Sequence, residues 1–210
     1  RLKQRVDTSL HPLFQHREEV NNVLLIIVTA DRGLAGAFNA NVIKLAEQAI
    51  RERFAEHHKA GKLFLACVGR KGYEHFARRG YQISGDFRGA FDKLDFRTAD
   101  EVASLAEHGF LDGRWDEVFV LYNEFKNTIS QNRIVEPFIP IPSERFLTPV
   151  MESELQHQND SQSTMSNDPI YEPGVGEILN ILVPQFLNYK IWRILLESNA
   201  SEQGARMVAM

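Results

Sequence analysis

The chain has 210 residues, 43% of them hydrophobic and 25% charged, with a formal net charge of −4, a size that suits one domain with an extension or two small domains. The acidic balance argues against a broad nucleic-acid surface, which needs basic groups to displace phosphate counterions, and a single cysteine excludes an internal disulfide framework and a multi-cysteine zinc site. No apolar run approaches the roughly 20 residues that span a bilayer, no signal peptide opens the chain, and the first residue is Arg1 rather than Met, as in a processed chain or an excised fragment.

Residues 1–19 are polar, with Leu2, Val6 and Leu10 at four-residue spacing ahead of Pro12. This pattern reads as the tail of a helix followed by a linker. Val23 to Ala30 (VLLIIVTA) is continuous, apolar and rich in β-branched residues. A strand of that kind is buried on both faces, as in a parallel sheet covered by helices. Asp31 to Asn39 (DRGLAGAFN) forms a turn with two glycines. From Asn41 to His58 the apolar residues Val42, Ile43, Leu45, Ala46, Ala49, Ile50 and Phe54 recur with helical period.

The unit then repeats. Lys62 to Val68 predicts a second strand, where Cys67 reads as a small buried hydrophobe. Arg70 to Arg79 predicts a short helix stopped by Gly80, and Tyr81 to Phe87 a weaker strand. Thr98 with Glu101 three residues later has the capping-box pattern, so a helix is expected over 98–109. Glu117 to Phe125 predicts a strand, and Ser130 to Pro142 a neighbour that Pro137, Pro140 and Pro142 push to a sheet edge. Alternation of strands and helices implies an α/β domain over 20–151, with a largely parallel, Rossmann-like sheet and flanking helices.

Residues 152–168 (ESELQHQNDSQSTMSND) are polar and nearly free of large apolar groups, which predicts a flexible loop. Over 169–210 the apolar residues Val175, Ile178, Leu179, Leu182, Val183, Phe186, Leu187, Ile191, Ile194 and Leu195 fall at steps of three and four. A helix of that length, roughly 55 Å at about 1.5 Å per residue, is expected to project in part, with a bend at Pro184. Ala200, Ser201, Gly204, Ala205 and Ala209 then allow another helix to approach closely. A helix folded back on the domain is the alternative.

Candidate chemistry is sparse. The strand–turn–helix around Asp31 to Asn39 stands where an α/β sheet binds anions, but Gly33 and Gly36 do not make GxGxxG, and no GK[ST] follows. Asp31 and Arg32 are close enough in sequence to pair locally. His57 and His58, adjacent on a helix, point about 100° apart and cannot easily share a metal. No serine sits in GxSxG, and Glu117 and Glu124 have no acid–base pattern. No catalytic, cofactor or metal residues are assigned. A small nucleotide-binding protein using the Asp31–Asn39 loop stays open as the second reading.

Three segments carry a resemblance. Thr29 to Asn39 (TADRGLAGAFN) is similar to the TSDRGLCGGFN segment of F-type ATP synthase γ subunits, and Ala200 to Met210 (ASEQGARMVAM) to the family's ASEQAARMVAM segment. Ile170 to Pro173 (IYEP) matches the junction before the family's long C-terminal helix. The resemblance implies a central rotor shaft that couples proton-driven rotation to ATP synthesis on the α/β ring, with no catalytic site of its own. It further implies an antiparallel coiled coil of the two terminal helices, with the α, β and ε subunits and the membrane c ring as partners. The setting it implies is the cytoplasmic face of the bacterial inner membrane, reached through the complex alone, with the mitochondrial inner membrane or the thylakoid as alternatives. The family's N-terminal helix and the continuation after ARMVAM are not in this sequence, so the chain reads as truncated at both ends.

By matching position the resemblance places Glu202, Gln203, Arg206 and Met207 toward the α/β ring, Arg32 near an acidic segment of β, and Tyr171 and Glu172 over the rotor ring or ε. For Arg32 a carboxylate of that partner and the local pair with Asp31 are two equal readings. Glu202 and Arg206, four apart, share a helical face and can also pair within the helix. Ala35 stands where the family segment has cysteine, so thiol chemistry is not required there.

Overall fold

Every residue of Val23–Val28 (β1) is buried, as a strand apolar on both faces demands. Its side chains divide by parity: Leu24, Ile26 and Val28 enter one core, and Val23, Leu25 and Ile27 the other. The computed structural model describes residues 11–127, 130–142 and 175–210. Leu2, Val6 and Leu10, the polar segment 152–168, and the junction with Tyr171 and Glu172 lie outside the described residues.

β1 is joined by Leu63–Val68 (β2), Ile83–Phe87 (β3), Glu117–Phe125 (β4) and Gln131–Ile139 (β5). Among the described residues these strands form one sheet in the order β3-β2-β1-β4-β5. β1 runs parallel to β2 from Val23 opposite Leu63 to Val28 opposite Val68, and parallel to β4 from Val23 opposite Glu117. β3 is parallel to β2, while β5 is antiparallel to β4. β5 is the edge strand that its prolines predict. Pro137 stands opposite Phe119, beside an irregularity in register.

Phe38–Glu52 (α1), Ala55–Lys59 (α2) and Arg70–Ala77 (α3) follow β1 and β2, and Val42, Ala46, Ile50, Phe54 and Phe76 cover one face. The helix expected over 41–58 breaks at Arg53, because Phe54 turns inward to lie 5.1 Å from the ring of Phe119. Phe96–Leu111 (α4) and Val175–Ala209 (α5) cover the other face. The expected cap at Thr98 is not formed. Asp95 caps α4 instead, its carboxylate accepting from the Arg97 N–H, and the helix gains Phe96, whose ring meets Trp192 and Tyr189 at 5.8 and 5.7 Å.

α5 is continuous through Pro184. Leu179, Val183, Leu187, Ile191, Ile194 and Leu195 are buried in the core that β1, β4 and α4 share. α4 alone leaves that sheet face uncovered, and α5 completes it. The helix is therefore seated on the domain for most of its described length, and it leaves the domain at its exposed end, Met207–Met210.

Asp116, at the entrance to β4, holds the preceding linker. It accepts the N–H groups of Asn21 and Asn22, each at 2.8 Å, and the Arg17 guanidinium at 2.6 Å. Burial pushes this carboxyl up, but the two amides and Arg17 outweigh it, so its pKa lies below the usual 3.8. A carboxyl whose folded pKa is depressed stabilises above its unfolded value and loses that contribution as pH falls through the folded one. Asp116→Asn should therefore be less stable than the parent at neutral pH. The gap in urea midpoint should narrow as pH falls below the ordinary carboxyl range and through the lower folded value; a gap independent of pH would refute the assignment.

Candidate functional site

The carboxyl ends of β1, β2 and β3 converge on Asp31. Its buried carboxylate accepts three backbone N–H groups: Arg70 at 2.8 Å and Gly89 at 2.7 Å on Oδ1, and Phe91 at 2.7 Å on Oδ2. Arg70 opens α3, where the helix dipole also favours negative charge. Of the two readings open for Arg32, the local pair with Asp31 is not formed. Three part-buried amides take the Asp31 carboxylate as acceptor, so Asp31 faces inward, while Arg32 turns out and donates to Asp92 Oδ1 at 3.2 Å.

Thr29 completes the junction, its hydroxyl accepting the Gly72 N–H at 2.8 Å. Gly69 at the end of β2 has φ +88°, and a Cβ there would lie 1.9 Å from the Thr29 carbonyl oxygen, so glycine is required on both grounds. Asn39 closes the turn from the other side. Its Oδ1 accepts the Ala30 N–H at 2.9 Å and its Nδ2 donates to the Arg32 carbonyl at 3.2 Å. At the tip Leu34 adopts φ 62° and is 90% exposed. A non-glycine residue held in that region costs on the order of 1 kcal/mol.

The end of α5 lies on this turn. Ala205 packs against Ala30, Ala35 and Phe38, and a Cβ at Gly36 would sit 3.5 Å from the Ala205 carbonyl oxygen. Glu202 is buried and paired with Arg206, which also donates to the Gly33 carbonyl at 3.2 Å. Two of the three resembling segments, 173 residues apart at this bond, therefore form one unit.

Asn123 and Gln131, not singled out from the sequence, complete it together with Ser201. Asn123, fully buried in β4, donates to the Phe38 carbonyl at 3.0 Å. Ser201 donates to the Asn123 carbonyl at 3.3 Å, and Gln131 to the Ser201 carbonyl at 2.9 Å. The signal was Asn123 itself, a polar residue in the run VLYNEF, since a buried amide must find partners. Gln203 and Met207 are exposed on α5, with Val208 and Met210 beyond. Arg32, Glu202, Arg206 and Met207 thus share one end of the molecule.

In this strand order the direction of winding reverses between β1 and β4, and α/β sheets bind ligands in the crevice outside the strand ends at such a point. Here Phe38, Ser201 and Ala205, with the amide of Asn123, fill that place. A nucleotide would have to displace the end of α5.

α5 carries a second stripe. Leu182, Phe186, Tyr189, Arg193, Leu196, Ala200, Gln203 and Met207 follow one another at alternating steps of four and three. All but half-buried Phe186 are exposed. Alternating steps of this kind are the seam of a coiled coil.

The model of the ATP synthase family matches residues 1–210. The chain is similar to the ATP synthase gamma chain of Salinibacter ruber, at 52% identity over 209 residues, all of this chain and 68% of that one. It is 44% identical to the gamma chain of Chlorobaculum tepidum, over all of this chain and 67% of the relative. Among solved structures, it is similar to a chain of the central stalk and c-ring of the Tetrahymena thermophila mitochondrial ATP synthase. There the TM-score is 0.60 at 22% identity, covering 93% of this chain and 77% of that one. A chain of the Euglena gracilis mitochondrial ATP synthase rotor matches at TM-score 0.57 and 18% identity, over 98% of this chain and 74% of that one. These two likenesses are of fold.

Proposed function

The chain belongs to the ATP synthase gamma chain family, and we infer that it serves as the central stalk of that complex, coupling proton-driven rotation to ATP synthesis. The observation that carries this is the joining of α5 to the Asp31–Asn39 turn through Arg206 and Ala205. It places the two family segments in one rigid end, with the second stripe of α5 open beside it. A stalk transmits force and needs rigidity and asymmetry more than a reactive group.

On this reading the subunit does no chemistry of its own. Arg32, Glu202, Gln203, Arg206 and Met207 meet the α and β subunits, and Tyr171 and Glu172 meet the rotor ring or ε. A terminal helix of the same subunit covers the Leu182–Met207 stripe as the antiparallel partner. Contacts that differ among three orientations of an asymmetric shaft bias each β subunit differently, which is how a partner shifts a conformational equilibrium. Among the described residues no helix is long and apolar enough to cross a membrane. Attachment runs through the c ring, on the cytoplasmic face of a bacterial inner membrane.

The test is capture of the full-length subunit with α, β and ε, with stoichiometry by native mass spectrometry. One copy per three α and three β is expected. Absence of that complex, together with saturable nucleotide binding by the chain, would overturn the proposal in favour of a small nucleotide-binding protein.

A further inference from the structure

A helix that carries torque must not turn or slide on its seat. The seat of α5 is mostly apolar, and apolar contact is non-directional; it resists separation better than rotation about the helix axis. Resistance to rotation comes from directional contacts placed off that axis. Among the described residues, Asn188 and Lys190 make such contacts around the middle of α5. Asn188 Nδ2 donates to Asp100 Oδ1 of α4 at 2.6 Å, on an exposed flank. Lys190 Nζ lies 3.3 Å from Glu136 Oε1 of β5 and donates to the Pro137 carbonyl at 3.2 Å. At about 100° per residue, positions 188 and 190 point to opposite flanks of the helix, with buried Leu187 and Ile191 on the seated face between them.

The two flanks are not equivalent. The side chains of Lys190 and Glu136 are 8% and 9% exposed, so any rotation of α5 that parts them separates two opposite charges in a largely buried setting. That penalty is far steeper than the one for shifting methyl groups along a sheet. We propose that the Lys190–Glu136 pair is the latch that fixes the rotational register of α5 on the α/β domain, so that torque passes between shaft and base through β5. The proposal rests on the central-stalk reading. It assigns a positioning role to Lys190 and Glu136, which lie in none of the three resembling segments.

A cleft of about 810 Å³, bordered by Tyr122, Glu136, Tyr189, Lys190 and Arg193, runs beside the pair. It leaves room for the two charges to be exchanged, which allows a test that does not depend on the single variants folding. The full complex is assembled with the parent subunit, with Lys190→Met, with Glu136→Gln, and with the exchange Lys190→Glu plus Glu136→Lys. Native mass spectrometry reads assembly, and vesicles read ions pumped per ATP hydrolysed. A bead on the rotor reads torsional stiffness between base and shaft. Single variants that assemble should hydrolyse ATP at near the parent rate but lose about twofold or more in stiffness and in ions pumped per ATP. The exchange should assemble and restore both. Parent-like stiffness in an assembled Lys190→Met complex would overturn the latch. So would an exchange that leaves stiffness low or fails to assemble. Failure of the parent subunit itself to join α and β would instead bring down the central-stalk reading, and the latch with it.

Discussion

Asp31→Ala should lower the stability of the chain by about 3–5 kcal/mol, since it strips acceptors from three N–H groups at roughly 1–3 kcal/mol each, with partial relief as water enters. The three donors, Arg70, Gly89 and Phe91, belong to the segments that follow β2 and β3, so one carboxylate ties three strand ends together. Asp31→Asn should be milder, about 1–3 kcal/mol, because one amide oxygen can still serve Arg70 and Gly89 while the amide N–H₂ confronts the Phe91 N–H. Arg32→Ala should cost less than about 1 kcal/mol, as expected for an exposed ion pair. Urea unfolding followed by circular dichroism measures all three. Midpoints for both Asp31 variants within error of the parent would show that water replaces the carboxylate without penalty, and the anchor role would be lost.

The contrast between Asp31 and Arg32 also shows what a sequence can disclose. Neighbours of opposite charge suggest a local pair, and nothing nearby reveals that Gly89 and Phe91, about 60 residues on, lack acceptors. The strands were legible because each needs only its own composition: VLLIIV at β1 is apolar at every position and must be buried on both faces. Element ends were less legible because distant rings decide them. Thr98 and Glu101 make a good local cap, yet α4 starts two residues earlier, where Phe96 reaches Trp192 and Tyr189. Phe54 continues the helical period of α1 but leaves the helix to meet Phe119.

α5 is the clearest case. Its apolar positions read as one long stripe, since steps of three and four do not say which residues share a face. Only the sheet separates Leu179, Val183, Leu187 and Ile191, which it covers, from Leu182, Tyr189 and Leu196, which it leaves exposed. The Glu202–Arg206 pair was readable from four-residue spacing. The bond from Arg206 to Gly33 was not, because it joins parts of the chain that only the complete fold brings together.

That bond makes the two partners unequal, and the inequality can be measured. Arg206→Ala should destabilise the chain by about 2–3 kcal/mol, because it leaves the carboxylate of Glu202 buried without its guanidinium, a value kept low because the Arg206 side chain is 27% exposed. Glu202→Ala should cost about 1 kcal/mol, for Arg206 can turn to water and keep its hydrogen bond to Gly33. The double variant should be no worse than Arg206→Ala alone, a coupling of about 1 kcal/mol in a double-mutant cycle. Arg206 also holds the end of α5 on the turn that presents Arg32 and Leu34, so its loss should loosen every contact proposed for that end together. In the assembled complex, ATP synthesis should then fall further for Arg206→Ala than for Glu202→Ala, with the copy number of the subunit unchanged. Equal losses of synthesis and copy number would mean that the pair only holds the chain together; a loss of synthesis alone would mean that the rigidity of this end is what drives the catalytic ring.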